Sequence, residues 1–192
     1  MNSNIVLIIL GEPNSIFSEV LFKYFKSNKF KKSNNKIILI GNKKLIEKQM
    51  KKLKYNFYIN HISDLKEFKK KSINIINVDF KFKNAFSKIT SDSNRYIEDC
   101  FDVGIKLMNT YKLTKLINGP ISKKHFLKKR FPGITEYIGD KTNSKDQVML
   151  IYNENLSVTP LTTHIPIKKV AQSVKKKKII KAIMKINEFY KT

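Results

Sequence analysis

Ile5–Leu10 is an unbroken apolar run, stopped by Gly11-Glu12-Pro13-Asn14. Six apolar residues closed by turn formers fit a fully buried strand. The same order of events then recurs along the chain. Ser15 is placed to cap a helix carrying Ile16, Val20, Leu21 and Tyr24 on one face. Lys36–Ile40 is a second apolar run, closed by Gly41-Asn42, and Lys43–Leu53 restores helical spacing through Leu45, Ile46 and Met50. Tyr55–Ile59 and Ile73–Val78 are further strand candidates. Alternating strand, turn and helix predicts an α/β fold, a mostly parallel sheet with helices on its faces.

Ser91 or Asp92 opens the longest helical pattern, with Ile97, Phe101, Ile105 and Met108 at three- and four-residue spacing until about Tyr111. Leu113–Ile117 then reads as a strand delivering Asn118-Gly119-Pro120 at its carboxyl end. Short helices are expected over Ser122–Lys129 and Glu136–Lys141. Val148–Tyr152 and Leu156–Leu161 read as strands joined by Asn153-Glu154-Asn155, the second delivering Thr162-Thr163-His164. Ile167–Val174 resumes a helix after Pro166. Ligands in open α/β sheets gather beyond the carboxyl ends of strands, so three polar segments compete for a site: 11–19, 118–136 and 162–166.

Composition narrows the class. With 41% hydrophobic and 11% aromatic residues, the chain has the apolar surface that a disordered basic tail lacks. The single cysteine, Cys100, excludes an internal disulfide framework and any multi-cysteine metal site. The start lacks the basic n-region and cleavage site of a signal peptide, and no apolar stretch approaches the roughly 20 residues of a membrane span. The expectation is a cytoplasmic protein with no membrane partner. Net charge is +24, which invites a nucleic-acid reading, yet only Arg95 and Arg130 of the 39 basic residues are arginines. The lysines are scattered in short runs on what read as solvated helix faces, a pattern of lysine-rich composition rather than of a recognition surface. Nucleic acid is therefore not the expected partner.

Thr162-Thr163-His164-Ile165-Pro166 is the most suggestive local feature. A histidine past a strand end, preceded by hydroxyls and fixed by a proline, is placed to donate an imidazole nitrogen to a metal or to act as a base. Taken alone it also fits a histidine that satisfies loop backbone groups. His61 and His125 lack such a placement and read as surface residues. Pro132-Gly133-Ile134-Thr135-Glu136 offers a turn and then a hydroxyl near a helix start, where backbone N–H groups favour an anion. Asn118-Gly119-Pro120-Ile121-Ser122-Lys123 has a strand-to-helix turn with one lysine, and Glu12 and Glu19 bracket the opening loop.

In order, Gly119-Pro120-Ile121-Ser122-Lys123, Pro132-Gly133-Ile134-Thr135-Glu136, Val148-Met149-Leu150 and Thr162-Thr163-His164-Ile165-Pro166 resemble the 4-hydroxythreonine-4-phosphate dehydrogenase family of vitamin B6 synthesis. That family shows a Pro-Ile-Asn-Lys-like turn, then Pro-Gly-His-Thr-Glu, then Thr-Thr-His-(Leu/Ile)-Pro. Leu10-Gly11-Glu12-Pro13, with Glu19 following, is similar to its Gly-Asp-Pro-Ala-Gly-Ile-Gly-Pro-Glu opening. The resemblance spans nearly the whole chain and is strongest from about 117 to 170.

The resemblance implies a three-layer α/β/α fold akin to the isocitrate and isopropylmalate dehydrogenases. Residues 1–192 would form its N-terminal portion, with a subdomain boundary near 117–122. It implies a homodimer that oxidises a small phosphorylated amino acid, 4-phosphooxy-threonine, with NAD or NADP and a divalent metal of the zinc, magnesium or cobalt class. The resulting β-keto acid loses carbon dioxide. His164 matches the family's first metal histidine, and Thr135 the threonine of its substrate-binding His-Thr pair. Ile134 stands where that pair has its histidine, and Asn14-Ser15-Ile16-Phe17-Ser18 lacks the two glycines of the family's opening loop. The family's second half, which supplies two further metal histidines, has no counterpart before Thr192. The expectation is a site completed by another polypeptide, and little dehydrogenase activity from this chain alone. The alternatives are a non-catalytic binding or scaffold module on the same half-fold, and a basic nucleic-acid-associated domain.

Overall fold

The computed structural model describes residues 4–128, 130–144 and 147–191. It divides into two compact units, Met1–Phe126 and Leu127–Thr192. In the first, five strands form one sheet: β1 (Ile5–Ile9), β2 (Lys36–Gly41), β3 (Ile59–His61), β4 (Ile73–Asn77) and β5 (Leu116–Asn118). Their order is β3-β4-β2-β1-β5, and every pairing is parallel, as the apolar runs predict. β1 lies between β2 and β5, with Ile5 opposite Lys36 and Ile9 opposite Ile40, and all five of its residues are buried.

The pleat sends alternate side chains to opposite faces. Val6, Ile8, Leu10, Ile37 and Leu39 share one cluster with Leu21, Phe22 and Phe25 of α1 (Phe17–Lys26), following α2 (Asn28–Lys32) across Phe30, and with Ile46 of α3 (Lys43–Lys52). Aromatic rings close this layer, Phe22 standing 5.5 Å from Tyr55 and 6.2 Å from Phe57 between ring centroids. On the other face, α4 (Asn94–Tyr111) rests Gly104 against Ile9 and Ile40. The result is the expected three-layer arrangement, helices on both faces of a parallel sheet.

Several boundaries differ from the sequence pattern. α1 begins at Phe17 with Ile16 at its N-cap, and Ser15 Oγ accepts from the Phe17 N–H at 3.3 Å. Its buried face is Ser18, Leu21, Phe22 and Phe25, leaving Ile16 and Val20 73% and 50% exposed. The aromatic residues win because they fill the layer above the sheet. Tyr55 and Phe57 are claimed by that same layer, so the strand expected over 55–59 begins four residues later, at Ile59, and ends at His61. β5 likewise starts at Leu116, and Leu113 is buried ahead of it.

The second unit holds α5 (Ile134–Lys141), a 3-10 turn at Ile167–Lys169, α6 (Val170–Ser173) and α7 (Lys176–Lys191). The strands expected over 148–152 and 156–161 reduce to one antiparallel bridge between Ile151 and Val158. Both residues are exposed, so these segments have no layer to pack on and their ladder does not extend. The helix expected over 122–129 is a five-residue π-helical turn, Lys123–Leu127; Lys129 lies outside the described residues. No residue of α7 is buried, and its Ile183 and Met184 are 60% and 58% exposed. Among the described residues no helix is long and apolar enough to cross a membrane.

Candidate functional site

The strand order reverses between β1 and β5, the position where parallel sheets open a crevice beyond their carboxyl ends. Here that crevice is closed by backbone. The Gly119 N–H donates to the Ile9 carbonyl at 2.7 Å, and the Glu12 N–H to the Pro120 carbonyl at 2.8 Å. Gly11 has φ +68°, and a side chain on it would collide with the Pro120 carbonyl, just as one on Gly119 would collide with that of Leu10. Only glycine permits both the left-handed turn and this approach.

Glu12 is buried at the same strand end and its carboxylate is fully engaged. Oε2 accepts from Ser93 Oγ at 2.7 Å, and Oε1 accepts from the Asn14 N–H at 3.1 Å and Asn14 Nδ2 at 3.3 Å. Two neighbouring amides are equally occupied, whereas Ser18 Oγ is buried without a hydrogen-bond partner among the described residues. Asn42 Oδ1 caps α3 through the Leu45 N–H at 2.9 Å while its Nδ2 donates to the Val78 carbonyl, and Gln49 donates to the carbonyls of Pro13 and Ala85. Burial pushes the Tyr96 hydroxyl well above its ordinary pKa and the Cys100 thiol up to about 12, so neither supplies a nucleophile at neutral pH. Glu19 pairs with Lys23 on an exposed helix face. Segment 11–19 is therefore a brace rather than an open site. In segment 118–123, Ser122 Oγ accepts from the His125 N–H at 3.2 Å, closing the π-helical turn. His61 ends edge strand β3 and is exposed, a strand-end placement the sequence pattern missed because the strand forms later than its aromatic residues suggest.

The second unit brings together two of the singled-out segments. Gly133 is the N-cap of α5, with Thr135 and Glu136 in the first turn and Ile134 opening the helix. His164 sits at φ +57°, exposed, after a bend rather than after a strand. A methyl group on Gly133 would lie 3.0 Å from Glu136 Oε2 and 3.8 Å from His164 Nε2, so the glycine leaves a gap flanked by a carboxylate and an imidazole. Carboxylate and imidazole are a donor pair suited to zinc-class metals. Among the described residues no three His, Cys, Asp or Glu side chains converge.

A cavity of about 200 Å³ lies in the same unit. Thr135, Glu136 and Thr163 line it together with Lys178, Lys181 and Lys185 of α7, while His164 is not among its walls. It is too small for a dinucleotide. Lys178 ends the short run Lys175–Lys178, one of the lysine runs whose composition reads as a solvated helix face. The usable signal was the spacing of 178, 181 and 185, which aligns three ammonium groups on one helix face.

The family model of Pyridoxal phosphate biosynthetic protein PdxA matches residues 33–192. A 4-hydroxythreonine-4-phosphate dehydrogenase from a Sulfurihydrogenibium species is 32% identical over 189 residues, covering 96% of this chain and 57% of that protein. One from Aquifex aeolicus is 29% identical over 185 residues, 94% of this chain and 56% of its own length. The crystal structure of 4-hydroxythreonine-4-phosphate dehydrogenase from Klebsiella pneumoniae superposes with a TM-score of 0.83 at 18% identity, covering 98% of this chain and 59% of that one, which establishes the shared fold. The chain thus spans little more than half the length of the relatives it matches. By the match of its sequence from residue 33 onward, the chain belongs to the PdxA family of pyridoxal phosphate biosynthetic proteins.

Proposed function

We propose that this chain forms part of an oxidoreductase that converts 4-phosphooxy-threonine to its β-keto acid and carbon dioxide, with Thr135 contacting the substrate and His164 donating one metal ligand. The observation that carries this reading is the gap over Gly133. It draws the Pro-Gly-Ile-Thr-Glu segment and His164, about thirty residues apart in sequence, to one place. NAD or NADP would accept the hydride and a divalent metal would polarise the substrate oxygen when bound.

The chain's own residues have narrower tasks. Thr135 offers a hydroxyl that can donate to one substrate oxygen and accept from another group. His164 offers a ring nitrogen lone pair, with Glu136 across the gap as a second donor. Ile134 presents an apolar side chain where relatives of this motif pattern carry histidine, so one polar contact to the substrate is absent. Remaining metal ligands come from outside the described residues, from more polypeptide or from a second subunit.

The test is a Zn²⁺ titration of the chain followed by imidazole ¹H–¹⁵N resonances, which resolve its three histidines. His164 should shift first, and His164→Ala should weaken affinity about tenfold, the effect of losing one ligand-class interaction. A uniform response from His61, His125 and His164, or unchanged affinity in the variant, would refute the assignment.

A further inference from the structure

Along the sequence the lysines of the first unit fall in scattered runs, but in the fold they gather at one end of the sheet. All pairings are parallel, so the five strands start at the same edge. Lys36 opens β2 opposite Ile5, Lys69 and Lys71 lead into β4, and the Lys115 carbonyl accepts from the Leu7 N–H at 3.1 Å just before β5. Neighbouring strands stand about 5 Å apart, so these lysine positions cross the sheet in steps of one or two strand widths. Two contacts tie the loops of this end together. Lys36 Nζ lies 5.8 Å from the centroid of the Phe68 ring, and the Tyr111 hydroxyl at the end of α4 donates to Asp64 Oδ2 at 2.6 Å. Lys66 and Lys112, beside those partners, belong to the same end.

Negative charge there is sparse and turned inward. In the segments that build this end, 27–36, 51–58, 63–72 and 111–115, the only carboxylates are Asp64 and Glu67. Asp64 accepts from the Lys66 N–H and the Tyr111 hydroxyl, and Glu67 Oε2 from the Ser63 N–H. Lys36, Lys69, Lys71 and Lys115 are exposed and form no ion pair among the described residues. The carboxyl end of the sheet is mixed instead, with Glu12, Asp79 and Asp92 among its lysines. Lys54, Lys71 and Lys112 also hold φ +59°, +61° and +52° in the turns of the amino end. Lysine thus occupies three turns whose geometry favours glycine or asparagine.

A positive surface built of lysines without arginine suits a polyanion held by charge rather than by planar, base-specific contacts. Tyr58 is 65% exposed at this end, with Lys69 Nζ 6.0 Å from its ring centroid, and adds a face on which a base can stack. Within those segments it is the only exposed large hydrophobic residue described, so no aliphatic cluster is present to enter a bilayer. We infer that the amino end of this sheet is a docking surface for single-stranded nucleic acid, bound without sequence preference. Lys36, Lys69, Lys71 and Lys115 neutralise phosphates and Tyr58 stacks on a base. The surface does not depend on the function proposed above.

The test is fluorescence anisotropy of a labelled oligothymidylate of about 20 nucleotides, longer than a typical single-strand site, titrated with the full chain. The logarithm of the binding constant should fall against the logarithm of salt concentration with a slope of about −0.7 per phosphate contact, or about −3 for four. Changing Lys36, Lys69, Lys71 and Lys115 together to Gln should weaken binding about tenfold or more at fixed ionic strength and flatten that slope. A control changing Lys44, Lys81, Lys83 and Lys88, exposed toward the other end, to Gln removes equal charge and should stay within about twofold. Tyr58→Ala should weaken binding about fivefold, Tyr58→Phe should retain it, and circular dichroism should stay unchanged in both. Equal losses in the two lysine variants, no effect of Tyr58→Ala, or no measurable binding by the wild-type chain at low salt would overturn the surface. Phosphatidylserine vesicles that hold the chain as tightly as the oligonucleotide, and release it in the same lysine variant, would overturn nucleic acid as its partner.

Discussion

Glu12 illustrates how a residue type that invites a catalytic reading acquires a structural task. A carboxylate at the end of β1 stands where a ligand group is expected, yet both oxygens are spent on Ser93 and Asn14. It ties the first strand to the residue that precedes α4. Glu12→Ala should destabilise the chain by about 1–3 kcal/mol, because the buried Ser93 hydroxyl and the Asn14 amide lose their acceptor. Glu12→Gln, which keeps one acceptor oxygen, should cost less. Urea unfolding checks both, and a change below about 0.5 kcal/mol in Glu12→Ala would contradict the brace. At this scale the sequence was informative about which residues matter and less so about what they do. Thr135 lines a cavity and His164 flanks a gap, but the saturation of Glu12 depends on Ser93, eighty-one residues away. No local pattern carries a contact of that span.

Elements were legible where burial is symmetric. The runs at Ile5 and Lys36 are covered on both faces, so their hydrophobicity alone names them as central parallel strands. The pattern misleads where tertiary packing chooses among apolar residues. In α1 the sheet takes Phe22 and Phe25 and leaves Ile16 and Val20 in solvent. Phe22→Ala should therefore cost about 3–5 kcal/mol, whereas Val20→Ala should stay within about 0.5 kcal/mol. Chemical denaturation measures both, and comparable losses would mean that the helix packs on the face its spacing suggested. The segments around Ile151 and Val158 show the converse failure. They have strand-forming residues, but no covering layer, and they pair through a single bridge.

For the molecule as a whole, length and charge take on different meanings from those their totals suggest. A net charge of +24 is not spread evenly, since three of its lysines line one cavity beside Thr135. The length matches only 57% of the Sulfurihydrogenibium relative. Within that span the chain carries a five-stranded parallel sheet and the paired Gly133–His164 segments, but no three-ligand metal centre among its described residues. In the proposed function this chain is one contributor to a dehydrogenase site. The direct measurement is NADH or NADPH formation from 4-phosphooxy-threonine, with a divalent metal, by this chain mixed with a polypeptide carrying the part of the Sulfurihydrogenibium protein that it does not span. Turnover that requires both polypeptides and is lost in His164→Ala is the predicted result. Turnover that survives His164→Ala, or none from a mixture in which the two polypeptides demonstrably associate, would contradict it.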